Sequence, residues 1–242
     1  GNNYAIYNLT GGNPATRPAG VGSATPDGII KVGQGFMVQA KGPNKTLLFS
    51  NQVRVKDQGH FFPKARMKSN AKDRYWLSLV GPAQMENTFL AGYIEGATDD
   101  FELAYDARIS VNGDDAIYSI LGDDQLVIMG KQAPFKIDDR VVIGVNHFQD
   151  GEYTISLANR EGIFSTEQSI YLHDLKTGIV TDLTKGDYMY LGEKGIFDNR
   201  FVIEYRLNET LNVMDHSKKN IQVYRERENF VIKNNDGIIK NV

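Results

Sequence analysis

The sequence predicts an all-β protein built as an antiparallel β-sandwich of the jelly-roll or immunoglobulin-like kind, and three observations predict it. Short runs of β-forming residues recur along the chain at roughly regular spacing, separated by turn residues. Many of these runs alternate apolar with polar side chains, as a sheet with one wet face requires. Helix signals are almost missing, because no window of about twelve residues keeps apolar positions at i, i+3, i+4 and i+7. Short strands without a periodic barrel motif favour a sandwich over a barrel.

Taken in order, GNPATRPAGVGSATPDG (Gly12 to Gly28) has loop composition. From Ile29 the texture changes to predicted strands: GFMVQA, TLLFS, YWLSLV, TFLAGYI, DARISV, AIYSIL, QLVIMG, RVVIGVNHF, YTISLAN, SIYLHDL, GIVTDL, YMYLG and RFVIEYRL. In YTISLAN, Tyr153, Ile155 and Leu157 alternate with Thr154, Ser156 and Ala158. Gly33-Gln34-Gly35 runs into the strand FMVQA, where missing side chains let backbone approach closely. Asn112-Gly113 and Asp150-Gly151 tolerate positive φ and suit two-residue hairpins. Lys176-Thr177-Gly178 separates YLHDL from IVTDL and reads as a hairpin with a three-residue loop. Trp76, within the alternating DRYWLSLV, is assigned to the core. Past Tyr205 the chain turns polar, which predicts a sandwich over residues 1–207 and a linker over 208–219. Residues 220–242 then start a second, small β unit.

Composition excludes several classes of function. Hydrophobic content of 41% and charged content of 24% leave enough apolar material for a core. A net charge of −3 offers no concentrated basic face to nucleic acid or to an anionic membrane. The pair Arg225 and Arg227 is interleaved with Glu226 and Glu228, so it cancels locally. With no cysteine, disulfides, thiolate metal sites and cysteine nucleophiles are all ruled out. No run approaches the ~18 apolar residues needed to span a bilayer, so direct membrane insertion is not expected. Compartment stays open on composition alone.

Catalytic motifs are missing too. The chain holds no HExxH, no GxSxG elbow, no GxxxxGK loop and no GxGxxG opening a helix. His60, His147, His173 and His216 are scattered and read as surface or packing residues. The Asp-Asp pairs carry more interest: Asp99-Asp100, Asp114-Asp115, Asp123-Asp124 and Asp138-Asp139. Adjacent carboxylates at loop tips are raw material for calcium, which takes several hard oxygens at about 2.4 Å. A glycosidase needs two carboxylates about 5–10 Å apart across a cleft. Aspartate is also a common turn residue because it satisfies its own backbone. That plainer reading is favoured, with Asp99, Asp100, Asp114, Asp115, Asp123 and Asp124 kept as weak calcium candidates.

Several stretches, taken in succession, resemble a β-sandwich region of large secreted and cell-surface proteins of gliding and related Bacteroidota. They begin with NNYAIYNLTGG, PDGIIKVGQGFMVQA and LLFSNQVRV, and continue with RYWLSL, AGYIEGATDDFELAYDA and AIYSIL. The later part holds GEYTISL and SIYLHDLKTGIVTDLTKGDYMYLGEKGIFDNRFVIEY. In that family the sandwich is followed by a C-terminal sorting domain for the type IX secretion system. The tail here is similar to the first half of that domain: Leu211 to Val213, a spacer, Ile221 to Tyr224, a strand, then IIKNV.

The resemblance implies a non-catalytic C-terminal module, without cofactor, of a type IX secretion substrate. The chain would be a piece of a larger polypeptide, its sandwich over 1–207 lacking its N-terminal strands, carried across the outer membrane by the type IX translocon to be secreted or held at the cell surface. A PorV-type outer-membrane shuttle barrel would recognise the sorting unit, with Ile221, Val223, Tyr224, Phe230 and Ile232 as partner-binding residues. The alternative is a carbohydrate-binding or adhesive lectin-like sandwich, with calcium as an optional aid and glycans as partners.

Overall fold

A computed structural model describes residues 4–21, 25–40, 42–55, 72–110, 114–166 and 168–207, together with the backbone of 221–226 and 229–234. Internal contacts divide the chain into two units, Gly1–Arg206 and Leu207–Val242. The first unit is all-β. Its strands are β1 (Ile6–Tyr7), β2 (Gly12–Asn13), β3 (Arg17–Pro18), β4 (Asp73–Val80), β5 (Met85–Ile94), β6 (Ala107–Arg108) and β7 (Ala116–Leu121). They continue as β8 (Asp124–Gln132), β9 (Arg140–His147), β10 (Gly151–Glu161), β11 (Tyr171–Asp174), β12 (Ile179–Asp182), β13 (Tyr188–Gly192) and β14 (Gly195–Glu204). The second unit contains β15 (Ile221–Glu226) and β16 (Asn229–Asn234), paired antiparallel.

One large sheet dominates the first unit, in the order β12-β11-β14-β9-β7-β8-β5-β4-β10-β13, with β3 added to β5 and β6 to β8. The sheet is mixed, which corrects the purely antiparallel expectation: β5 and β8 run parallel, with Leu90 opposite Ile128. A parallel pair needs a long crossover, and residues 95–123, which include β6 and β7, supply it.

Two further expectations are corrected. GFMVQA and TLLFS form no strand, and between residues 25 and 55 the described chain has only a short 3-10 turn at Asn51–Val53. Val32, Met37 and Leu48 are exposed there, and an edge-on contact between the Phe36 and Phe49 rings at 6.0 Å links the two segments. β-forming residues become strands only against a sheet that pairs and covers them, and an isolated hairpin is marginal in water. Asp150-Gly151 does not close a hairpin either. β9 is flanked by β7 and β14 while β10 is flanked by β4 and β13, so both edges of each strand are taken. That turn instead carries the chain from one part of the sheet to another. Asn112-Gly113 and the linker at 208–219 include or consist of residues outside those described. The hairpin through Lys176-Thr177-Gly178 does form, with Asp174 opposite Ile179 and a connection one residue longer than predicted. Its Gly178 N–H donates to the Asp174 carbonyl at 2.7 Å, and Gly178 takes φ +73°, a conformation that favours glycine.

The sheet curls until strands far apart in its order pack face to face. Period-2 alternation turns Tyr75, Leu77 and Leu79 of β4 and Tyr153 and Ile155 of β10 inward. They share one core with Val141, Ile143 and Val145 of β9, Leu172 of β11 and Phe201 and Ile203 of β14. The Tyr190 and Phe201 rings, from β13 and β14, lie 5.2 Å apart. Phe164, carried by the 3-10 turn Gly162–Ser165, fills the space between Tyr75, Tyr93, Phe135 and Tyr205. Three buried hydroxyls are satisfied together: Tyr93 donates to the Asp139 carboxylate at 2.9 Å, so its oxygen accepts from the Tyr205 hydroxyl at 3.0 Å, and the Tyr205 oxygen in turn lies 2.9 Å from that of Tyr75. On the opposite face of the sheet, a smaller cluster gathers Trp76, Leu90, Val127 and Ile128.

Candidate functional site: a polar groove beside Trp76

The outward positions of β4, β5 and β10 make the floor of the candidate site. Trp76 stands between Leu90 of β5 and Asn159 of β10, Ser78 lies beside Thr88, and Val80 beside Glu86. The register of β10 shifts between Leu157 and Asn159, a bulge that leaves Ala158 unpaired with β4 and re-aims its neighbours.

The N-terminal segment roofs part of this face. Trp76 Nε1 donates to the Gly12 carbonyl at 2.9 Å, Asn13 Nδ2 donates to the Thr88 carbonyl at 2.8 Å, and Thr16 Oγ1 donates to Asn87 Oδ1 at 2.6 Å. Pairing of β3 with β5 sets Arg17 opposite Glu86, and their side chains meet at 2.9 Å with 14% exposure each. Between segment and sheet lies an open groove of about 340 Å³. Arg17, Trp76, Glu86, Thr88 and Asn159 bring polar and aromatic groups to it, while Pro14, Val21 and Ala158 bring apolar surface.

Two groups on this lining are unspent. Thr88 is only 4% exposed, yet its Oγ1 has no hydrogen-bond partner among the described residues, and neither has the buried Arg17 Nη1. Arg17 uses its other nitrogens, Nε toward the Val21 carbonyl at 3.3 Å and Nη2 toward Glu86. Asn13 Oδ1 and Asn87 Nδ2, on residues tied to the same roof, are likewise buried without a partner among the described residues. Buried polar groups are as a rule satisfied, so four such atoms on neighbouring segments are a concentration that asks for an explanation. The Arg17–Glu86 pair leaves the groove without net charge.

The aspartates singled out from sequence are dispersed. Asp99 and Asp100 are exposed after β5, with Asp99 3.8 Å from Lys131 Nζ. Asp114 is exposed, and its carbonyl accepts from Asn146 Nδ2 at 3.0 Å. Asp115 is buried and accepts from the Phe148 N–H and the Tyr153 hydroxyl, both at 2.8 Å. Asp123 is exposed in the turn between β7 and β8. Asp124 takes two bonds from Arg108, at 2.6 and 2.9 Å, and that hydrogen-bonded guanidinium holds its carboxyl below the usual carboxylate range. Among the described residues, no three His, Asp or Glu side chains gather in a way that could hold a metal ion.

His147 is buried at the end of β9. Its Nδ1 donates to the Glu193 carbonyl at 2.9 Å, so Nε2 accepts from the Tyr190 hydroxyl at 2.9 Å, and its ring stacks on Tyr153 at 4.0 Å. Burial pushes its pKa down, which keeps the imidazole neutral. His173 is half-buried, 4.0 Å from Glu204. His60 and His216 lie outside the described residues. Of the partner-binding candidates, Val223 pairs with Ile232 in backbone register and Tyr224 with Val231, while Ile221 and Phe230 pair with Asn234 and Arg225. The side chains of Ile221, Val223, Tyr224, Phe230 and Ile232 lie outside the described residues.

Sequence reasoning placed Trp76 in the core and missed its neighbours. Arg17 sits in a stretch with loop composition, and Glu86 and Thr88 look like the wet face of an ordinary strand. The one available signal was that the Glu86-Asn87-Thr88 run leads straight into an apolar strand, which invites a covering segment.

A large curled mixed sheet, a roofed polar groove and a separate two-stranded C-terminal unit define an all-β module. The chain belongs to the family described as a domain of unknown function (DUF8693), whose model matches residues 1–205. No curated protein and no solved structure matches the chain.

Proposed function

We propose that this chain is a non-catalytic module of an exported protein and that its C-terminal unit is part of an address for the type IX secretion system. The observation that carries this reading is the separate unit Leu207–Val242, with a two-stranded sheet of its own, placed where the ordered motifs of the resembling Bacteroidota proteins have a sorting domain. The family match ends at residue 205, one residue before the first unit ends, so the tail is an addition to the matched domain. Among the described residues β15 and β16 pair only with each other, which leaves one backbone edge on each for a partner strand. Exposed strand edges are a standard means of capturing another protein. In this reading Ile221, Val223, Tyr224, Phe230 and Ile232 supply the apolar contacts to a PorV-type shuttle barrel, the translocon moves the protein outward, and the first unit presents upstream segments at the cell surface. The first unit is then a β-sandwich, with β4, β10 and β13 facing β9, β14 and β11 across the aromatic core. The test is a reporter carrying a Sec signal and, at its end, the native polypeptide from Asn208 onward. Surface display is the expected result. A reporter held in the periplasm while a known substrate is exported overturns the reading.

A further inference from the structure

We infer that the groove beside Trp76 is a binding site for a neutral, hydroxyl-rich ligand, a mono- or disaccharide unit. This goes beyond export and is independent of it, since the groove lies wholly in the first unit.

The chemistry of the lining selects the class. Thr88 Oγ1 and Arg17 Nη1 are buried and unpartnered on residues that line the groove, one able to donate and accept and the other to donate. Leaving such groups unpaired costs stability, and a ligand that pairs them recovers that cost on binding. Glu86, already 2.9 Å from Arg17, contributes acceptor oxygens, and Asn159, exposed at the bulge, contributes an amide with both functions. A set that mixes donors and acceptors suits hydroxyls, each of which does both. Charge argues the same way: Glu86 repels an anion, Arg17 repels a cation, and a neutral ligand meets neither penalty. The apolar part of the lining, Pro14 and Val21 with the small exposed part of Trp76, matches the C–H groups of a sugar ring. Size sets the limit, because about 340 Å³ is at the small end of the range for ligand pockets.

Trp76 makes the test specific, because it is the only tryptophan in the chain and its emission reports on this groove alone. The full chain is titrated with glucose, galactose, mannose, N-acetylglucosamine and their β-1,4-linked disaccharides, and in parallel with inorganic phosphate and acetate. A saturable change in emission with at least one sugar, and none with the anions, is expected. Thr88→Val keeps the shape and removes the hydroxyl, so it should weaken that sugar at least tenfold while leaving the melting midpoint unchanged or raised. Asn159→Ala, on an exposed residue, should weaken the same sugar without affecting folding. The inference is overturned if no sugar changes the emission up to saturating millimolar concentration, if an anion does so instead, or if the response survives both substitutions.

Discussion

Asp174 and Arg200 form an ion pair sealed inside the protein: the carboxylate and guanidinium meet at 2.8 Å with side-chain exposures of 0% and 5%. Arg200 Nε adds longer contacts to the same carboxylate, and the Tyr188 hydroxyl reaches it at 2.8 Å. Arg200 also stacks over the rings of Tyr190 and Phe201 at 4.4 and 4.9 Å, so the pair ties the hairpin turn of β11 to β14 and β13. Removing one partner strands the other charge in a medium that cannot solvate it. Asp174→Asn and Arg200→Met should each cost about 3–5 kcal/mol in urea unfolding. A loss under about 1 kcal/mol in both would show that the pair contributes little to the fold.

His147 predicts a pH dependence with a definite sign. Burial holds its folded pKa below the value of about 6.5 for an exposed imidazole, although the bond to the Glu193 carbonyl opposes this. The unfolded chain therefore takes up the proton first as pH falls. Stability is full above about pH 6.5 and declines below it, by at most about 1.4 kcal/mol per pH unit for one group. The other charged groups acting on this imidazole are Arg200 and Asp115. Asp174 acts in a separate window. Burial pushes its pKa up, but hydrogen bonds from Arg200 and Tyr188 prevail and hold it below the usual carboxylate range, so its contribution is lost only below about pH 3.8. Urea midpoints at pH 7.5, 6.5 and 5.5 should fall at the acid end for the native chain and stay level for His147→Phe. A flat profile in the native chain would count against a neutral buried imidazole.

Phe164 and Phe36 give a paired prediction about what counts as core. Phe164 is fully buried within 5.0 to 6.0 Å of four other aromatic rings, whereas Phe36 is 45% exposed in a segment that forms no strand. Phe164→Ala should cost about 3–5 kcal/mol, and Phe36→Ser should remain within about 0.5 kcal/mol of the native chain. Equal losses would mean that GFMVQA packs as a strand after all.

Those two phenylalanines also show what the sequence could reveal. Alternation is a local property, so YTISLAN announces that Tyr153 and Ile155 point one way, and they do. GFMVQA carries the same kind of signal but meets no sheet edge, and nothing within six residues records whether an edge is free. The same limit hid the parallel pairing of β5 with β8 and the separation of β9 from β10, because edge occupancy is decided by strands far away in the chain. Trp76 was legible as buried, but the face it occupies depends on which strand turns inward. The groove was least legible of all, since Arg17 meets Glu86 only after β3 has docked on β5. Asp115, read as a loop-tip carboxylate, is claimed by Tyr153 and the Phe148 N–H from other strands.

The end of the sheet at β12 carries the last prediction. Its outer edge has no partner strand among the described residues, and Ile179 and Val180 are 51% and 41% exposed on it. An open edge with apolar side chains invites pairing with a second chain, and natural sheets often guard such edges with lysine. Lys176 lies in the preceding turn, 3.3 Å from Glu193, so it does not cover this strand. Val180→Lys faces water and should shift stability by no more than about 0.5 kcal/mol. It should nevertheless reduce self-association, read as a lower weight-average mass by light scattering at high protein concentration. If the native chain is monodisperse over that range, or if the substitution leaves its association unchanged, β12 is not the edge through which copies meet.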